Sequence, residues 1–297
     1  MALTEPLSDG ITAGPMVAKL TDPLGAARLL GRTQTFRDRV ESNGGSIEDD
    51  SLEDLYDPIL RAIKGFSGVG LSDLVLFVSA SAVEINSGSI PTIFDASGNE
   101  NDAIQTTTAN QPTLDKNGIG GRWTADFDGL GDWSYVSFSS AADARTFFCV
   151  AEYDSLPGNN PGLWGYQSVA RDWQQFVFKS KEDLRGRLYQ EDGTQIDFSK
   201  GNGPILSADT PFHTVQRADG TSNATQRQNG SAVESIPYNG TIRDLDHLML
   251  GNQSGSFSYN GNGGWDGGIS LWISFETHLS DAQVSEIESI YTDFYSM

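Results

Sequence analysis

The chain has 297 residues, and 40 Asp and Glu against 19 Lys and Arg give it a formal net charge of −21. It therefore lacks the surplus of cations that a nucleic-acid groove or an anionic membrane surface requires. Apolar residues at 37% and aromatics at 10% are enough for a packed core and argue against wholesale disorder, while no apolar run approaches the roughly 20 residues that span a bilayer.

The opening MALTEPLSDGITAGPM has neither a basic n-region nor an apolar h-region, so no secretory leader is expected. Residues 1–34 carry Pro6, Pro15 and Pro23 without sustained periodicity, and read as an extended arm. Ile11, Met16, Val17, Leu20, Leu24, Leu29 and Leu30 recur along it as apolar anchors, which suits ordering on a partner subunit as well as a free arm. Residues 35–70 read as a small helical region. A helix is predicted over 35–41 and stops at Asn43-Gly44-Gly45. Leu52, Leu55, Tyr56, Ile59, Leu60 and Ile63 follow at helical spacing, and Pro58 places a helix start there with Asp57 as N-cap.

From residue 71 the texture turns to strands. They are predicted over 74–80, 123–127, 133–138, 146–153, 174–179, 185–190, 195–198, 212–216, 224–228, 232–236, 247–250 and 269–275. Asp128-Gly129-Leu130-Gly131-Asp132 is a turn that would join 123–127 and 133–138 as a hairpin, and Asp192-Gly193, Asp219-Gly220 and Asn229-Gly230 mark further turns. Cys149 sits in the apolar run TFFCVAEY as a small buried hydrophobe; as the lone cysteine it cannot staple the fold. The last helix is signalled by Ser280 with Gln283 three residues on, a capping box, and by Val284, Ile287, Ile290, Tyr291 and Phe294 on one face.

Five pieces carry a family resemblance. DASGNEND at 95–102, QPTL at 111–114 and GRWTADFDG at 121–129 resemble the concanavalin A-like, LamG-like jelly-roll domains, as do 212–235 and 267–291. That resemblance implies a mainly β, two-sheet antiparallel jelly-roll sandwich over 71–297, an architecture that hosts lectins, glycosidases, adhesins and virion proteins alike. The phrase FRDRVESNGGSIED at 36–49 resembles a segment near the start of tailed-phage structural proteins. Together they imply a virion structural protein, in head decoration or in a tail or fibre, made and assembled in the host cytoplasm. Its arm would bind other virion proteins, the assembly would be a homo-oligomer, and the jelly-roll could adhere to a host-surface glycan. A stand-alone carbohydrate-binding module is the alternative, and a glycan hydrolase a weaker one.

Three kinds of site follow. The glucanase pattern E-x-D-x-x-E is approached at Glu152-Tyr153-Asp154, but Pro157 stands where the third carboxylate should be. No G-x-S-x-G elbow is present, and His213, His247 and His278 lack metal-ligand spacing, so no catalytic residue and no enzyme is expected. Asp95, Asn99, Asn101 and Asp102 offer oxygens to a calcium ion from one loop, or serve Asx turns that bond their own backbone. Glycan stacking would fall to Trp164 and Tyr166 in the loop 159–166, and to Tyr259, Asn260 and Trp265 in 258–266. For Trp265 a core position is the rival role.

Overall fold

A computed structural model describes residues 23–142, 146–155, 161–167, 173–178, 183–190, 192, 194–198, 206–219, 222–240, 245–252 and 264–297. The chain is mainly β. Helix α1 (Pro23–Ser42) leads to β1 (Gly45–Ile47), then a turn of π-helix at Leu52–Tyr56 runs into α2 (Asp57–Gly65). The strands β2 (Leu74–Asn86), β3 (Ser89–Asp95), β4 (Ala103–Ile104), β5 (Thr113–Asp115), β6 (Thr124–Asp128), β7 (Ser134–Ala142) and β8 (Thr146–Ala151) follow. Next come β9 (Gly162–Gln167), β10 (Trp173–Phe178), β11 (Asp183–Tyr189), β12 (Gln195–Phe198), β13 (Phe212–Ala218) and β14 (Asn223–Gln228). The chain closes with β15 (Ser231–Pro237), β16 (Leu245–Leu250), β17 (Asp266–Phe275) and α3 (Asp281–Phe294). No helix among the described residues is long and apolar enough to cross a membrane.

The strands pair antiparallel in two runs. In the first, β15, β14, β13, β8, β17 and β2 lie side by side, with β6 pairing to the leading end of β17 and β1 to the far end of β2. In the second the order is β4, β7, β16, β9, β10, β11, β12. Strand β3 links them, pairing with β2 and also with β4 and β5. The turn at Asn229-Gly230 joins β14 to β15 with both residues at positive φ, 47° and 74°, the geometry that favours Asn-Gly in a two-residue hairpin. The hairpin expected between 123–127 and 133–138 does not form. Phe127 pairs with Gly267 on β17, whereas β7 pairs with β16, so the Asp128–Asp132 turn crosses from one run to the other.

Two cores explain why some strands read as unbroken apolar runs. Phe147, Cys149 and Ala151 of β8 point into a core shared with Val78, Trp272, Trp164, Leu248 and Leu188, which come from both runs. Phe148 and Val150 point the other way, into a core with Phe36, Tyr56, Ile59, Ile63, Val284, Ile287 and Tyr291 of the helices. A strand covered on both faces loses its polar alternation. Burial of the Cys149 thiol pushes its pKa up and leaves it inert.

The helical region is thus part of the same body. Its helices cover the first run, β1 pairs Gly45 with Glu84, and Glu48 Oε1 accepts from the Trp123 N–H at 3.1 Å. The apolar stripe at 52–63 is spent on the chain's own sheet. Helix α1 also begins at Pro23, twelve residues before the predicted start at 35, so the expected arm 1–34 is helical from 23 onward. Asp57 is not an N-cap. It lies inside the helical run that continues from the π-turn, and its carboxylate accepts from Arg61 one turn on. Helix α3 matches expectation: Ser280 N–H donates to Gln283 Oε1 at 2.8 Å, completing the capping box.

Candidate functional site

The loop offered to calcium is a polar lock. Asp95 is buried at the end of β3, and its carboxylate accepts from the backbone N–H of Phe77 (2.9 Å), Ser97 (2.8 Å) and Asn101 (3.0 Å) and from the Ser97 hydroxyl (2.7 Å). Burial pushes its carboxyl up while these donors pull it down. Asn99 and Asn101 turn their amide N–H groups onto the Leu74 and Val75 carbonyls. Both carboxylate oxygens of Asp102 take Arg39 Nη1 at 2.9 Å. The carboxylate oxygens of Asp95 and Asp102 accept from N–H and O–H donors, and a guanidinium already supplies the positive charge. The calcium assignment of Asp95, Asn99, Asn101 and Asp102 is therefore corrected to a structural one; among the described residues no group of His, Cys, Asp and Glu is arranged to hold a metal ion.

The aromatic residues expected at a glycan fall elsewhere. Trp164 is 1% exposed, stacked on Phe147 at 5.4 Å and edge-on to Trp272 at 5.8 Å. Trp265 is fully buried, its indole N–H donating to the Glu152 carbonyl at 3.0 Å. Neither indole offers a free face to a sugar: Trp164 is corrected to a core residue, and Trp265 takes the core position that was its rival role. The run 162–167, read as a loop, is the strand β9, whose Trp164 faces Leu250 of β16 in register. Tyr166 pairs with Leu248 along the backbone, and Tyr259 and Asn260 lie outside the described residues.

Glu152 and Asp154 do share a side, with Tyr153 turned inward between them, its hydroxyl donating to the Leu206 carbonyl at 3.1 Å. The fold brings Asp126, Asp266, Asp115 and Asp209 around them. Partial burial and then the neighbouring Asp154 push the Asp126 carboxyl up to about 6. Burial and Asp128 push Asp132 up to about 7. This rim gathers like charges from strands β5, β6 and β17 and from the connections after β8 and before β13, and neither of two cavities found among the described residues is lined by it.

One of those cavities, about 450 Å³, lies between α1 and the Asp95 loop, where Arg32 and Arg39 reach across to the Ser97 and Asp95 carbonyls. The other, about 430 Å³, is a cleft where the edge strand of the second run, β12, comes beside the edge strand of the first, β15. It has the size of a small-ligand site. Ile196, Ile236 and Pro237 supply apolar surface, with Tyr238 packed into the core behind them. Thr194, Gln195 and Asn239 stand exposed at its lip, and Asp197 accepts from Arg187 Nε and Gln195 Nε2, both at 2.7 Å.

Gln190 is the buried polar group of this wall. It is 3% exposed, its backbone N–H closes the turn onto the Thr194 carbonyl at 2.9 Å, and its side-chain oxygen has no hydrogen-bond partner. Gly240, at φ 148°, passes so near that a Cβ there would stand 2.1 Å from that oxygen. A buried amide oxygen left without a donor costs about 1–3 kcal/mol. A ligand hydroxyl that reached it would recover that cost. Sequence reading missed this cleft because its walls come from turns 40 residues apart; the Pro237-Tyr238-Asn239-Gly240 turn was the one local signal.

No protein-family model matches the chain, and no curated protein sequence does. Solved structures do. The binding domain of Paraclostridial Mosquitocidal Protein 1 aligns with a TM-score of 0.54 at 15% identity, over 75% of this chain and 53% of that one. Trypanosoma rangeli sialidase in complex with sialic acid aligns at 0.54 and 13%, over 80% and 37%. The ligand-binding domain of botulinum neurotoxin serotype D, in complex with N-acetylneuraminic acid, aligns at 0.53 and 12%, over 74% and 51%. The chain thus spans about half or less of the length of these structures. The likeness is one of β-rich fold.

Proposed function

We propose that this chain is a carbohydrate-binding display module whose two strand runs form the facing sheets of a LamG-like jelly-roll. The observation that carries the reading is the 430 Å³ cleft between β12 and β15, with its buried, unpartnered Gln190 oxygen beside apolar and hydroxyl-bearing walls. Pyranose rings are recognised by that combination of apolar patch and converging polar groups. The similar structures, which include a toxin binding domain and complexes with sialic acid, support a sugar rather than another small ligand. The module binds without turnover, since the carboxylate rim around Glu152 and Asp154 lies outside the cleft.

The setting we propose is a tailed-phage virion, as head decoration or as part of a tail or fibre, in a homo-oligomer. The phrase at 36–49 supports it, and residues preceding α1 would attach to other virion proteins. A glycan array probed with the full chain tests the binding reading: retained spots that Asn239→Ala weakens support it, and a blank array sinks it. Deleting residues 1–22 tests the setting, with loss of particle incorporation by an otherwise folded chain as the expected result. Release of reducing ends from array-positive oligosaccharides would overturn the non-catalytic assignment.

A further inference from the structure

Resting on that carbohydrate reading, we infer that the cleft selects neutral glycans and rejects sialylated ones, unlike the sialic-acid complexes among its structural relatives. The chemistry of the walls decides this. Among the described residues lining the cleft, Asp197 alone is charged, and none is Lys, Arg or His. Among the described residues Arg187 touches the lining, and the Asp197 carboxylate holds it at 2.7 Å. A sugar carboxylate entering here would meet that pair with its charge already matched, and would approach the Asp197 oxygens as a like charge.

The groups that are present suit hydroxyls. Gln190 offers an acceptor that is already desolvated, so a donating hydroxyl is favoured there and a carboxylate, which is acceptor-only when ionised, is disfavoured. Thr194 and Asn239 at the lip can each donate or accept. Ile236 and Pro237 provide the apolar surface that lies under the C–H face of a pyranose. The field of the whole chain acts in the same direction, since a formal charge of −21 lowers the local concentration of anionic glycans and slows their encounter.

A matched pair of probes tests it. Saturation-transfer NMR and titration calorimetry of the full chain would be run with a panel of neutral disaccharides and each one's sialylated counterpart, at about 50 mM and 300 mM salt. The expected result is binding of a neutral probe, at least about tenfold weaker binding of its sialylated form, and a gap that narrows at the higher salt. Thr194→Ala and Asn239→Ala, both exposed and therefore mild for folding, should each weaken the neutral probe severalfold. Sialylated probes binding as tightly as neutral ones would overturn the inference while leaving the carbohydrate reading standing. Binding untouched by both substitutions, in variants with unchanged circular dichroism, places the sugar elsewhere and also overturns it. Absence of binding across the whole panel removes the inference and the reading beneath it together.

Discussion

Replacing Arg39 by Ala puts the reinterpreted loop to its sharpest trial. Arg39 donates to both oxygens of Asp102 at 2.9 Å and to the Asp95 carbonyl at 2.5 Å, and its guanidinium lies 5.7 Å from the ring centres of Phe36 and Phe94. The partners' side chains are each 19% exposed, so solvent screens the pair only in part. Removing one member of a buried pair costs about 3–5 kcal/mol because the other charge is stranded. Partial exposure, and the Asp95 N–H that still reaches Asp102 at 2.7 Å, bring the expected loss down to about 2–3 kcal/mol. For a chain of this size that is about 5 °C in Tm. Urea and thermal unfolding, with and without millimolar calcium, measure it. The native protein should be indifferent to calcium. A loss below about 0.5 kcal/mol in Arg39→Ala, or a native Tm that climbs by several degrees with calcium and not with magnesium, would refute the lock and restore the cation site.

The other expectations are brief. Trp164→Ala removes a buried indole from between Phe147 and Trp272, and should cost about 3–5 kcal/mol in chemical denaturation; an unchanged midpoint with lost glycan binding would instead put Trp164 at the sugar. Asp132→Asn should stabilise at pH 8 and change little at pH 3.5, compared with the native chain at each pH. With the folded carboxyl raised from 3.8 to about 7, the unfolded chain ionises first, so stability falls as pH rises between those values. Screened by solvent, the gain at pH 8 is about 1–2 kcal/mol, read from urea melts. Ser280→Ala removes the α3 cap and should cost about 1 kcal/mol in the same assay.

Periodicity made most of the strands legible, and the capping box at Ser280 located α3 to the residue. What it could not show was which face each strand presents to which neighbour. Trp164 looked like a loop residue because Asn159-Asn160-Pro161-Gly162 precede it, yet β9 is central to its run, between β16 and β10. Pairing of that kind is non-local, and no turn residue in the sequence encodes it. The Asx loop misled for a chemical reason: Asp and Asn accept N–H groups as readily as they bind cations, and the donor that decides between the two, Arg39, lies 63 residues away. The helical stripe at 52–63 carried the same ambiguity. An apolar face reports that something covers it, never whether that something is the same chain.

Resolving that stripe changes where a ligand can sit. With α1, α2 and α3 laid over the outer face of the first run, and with the two runs sharing a core between them, both faces of β2, β8 and β17 are closed. Edges then matter more than faces. Strands β12 and β15 are each last in their run, and where they approach one another the chain leaves both an unfilled cleft and the buried, unpartnered side-chain oxygen of Gln190. A packed body disfavours such a group, because a leucine in its place would remove the desolvation cost. A glycine at 240 is what lets the backbone pass that oxygen, since a Cβ there would stand 2.1 Å from it.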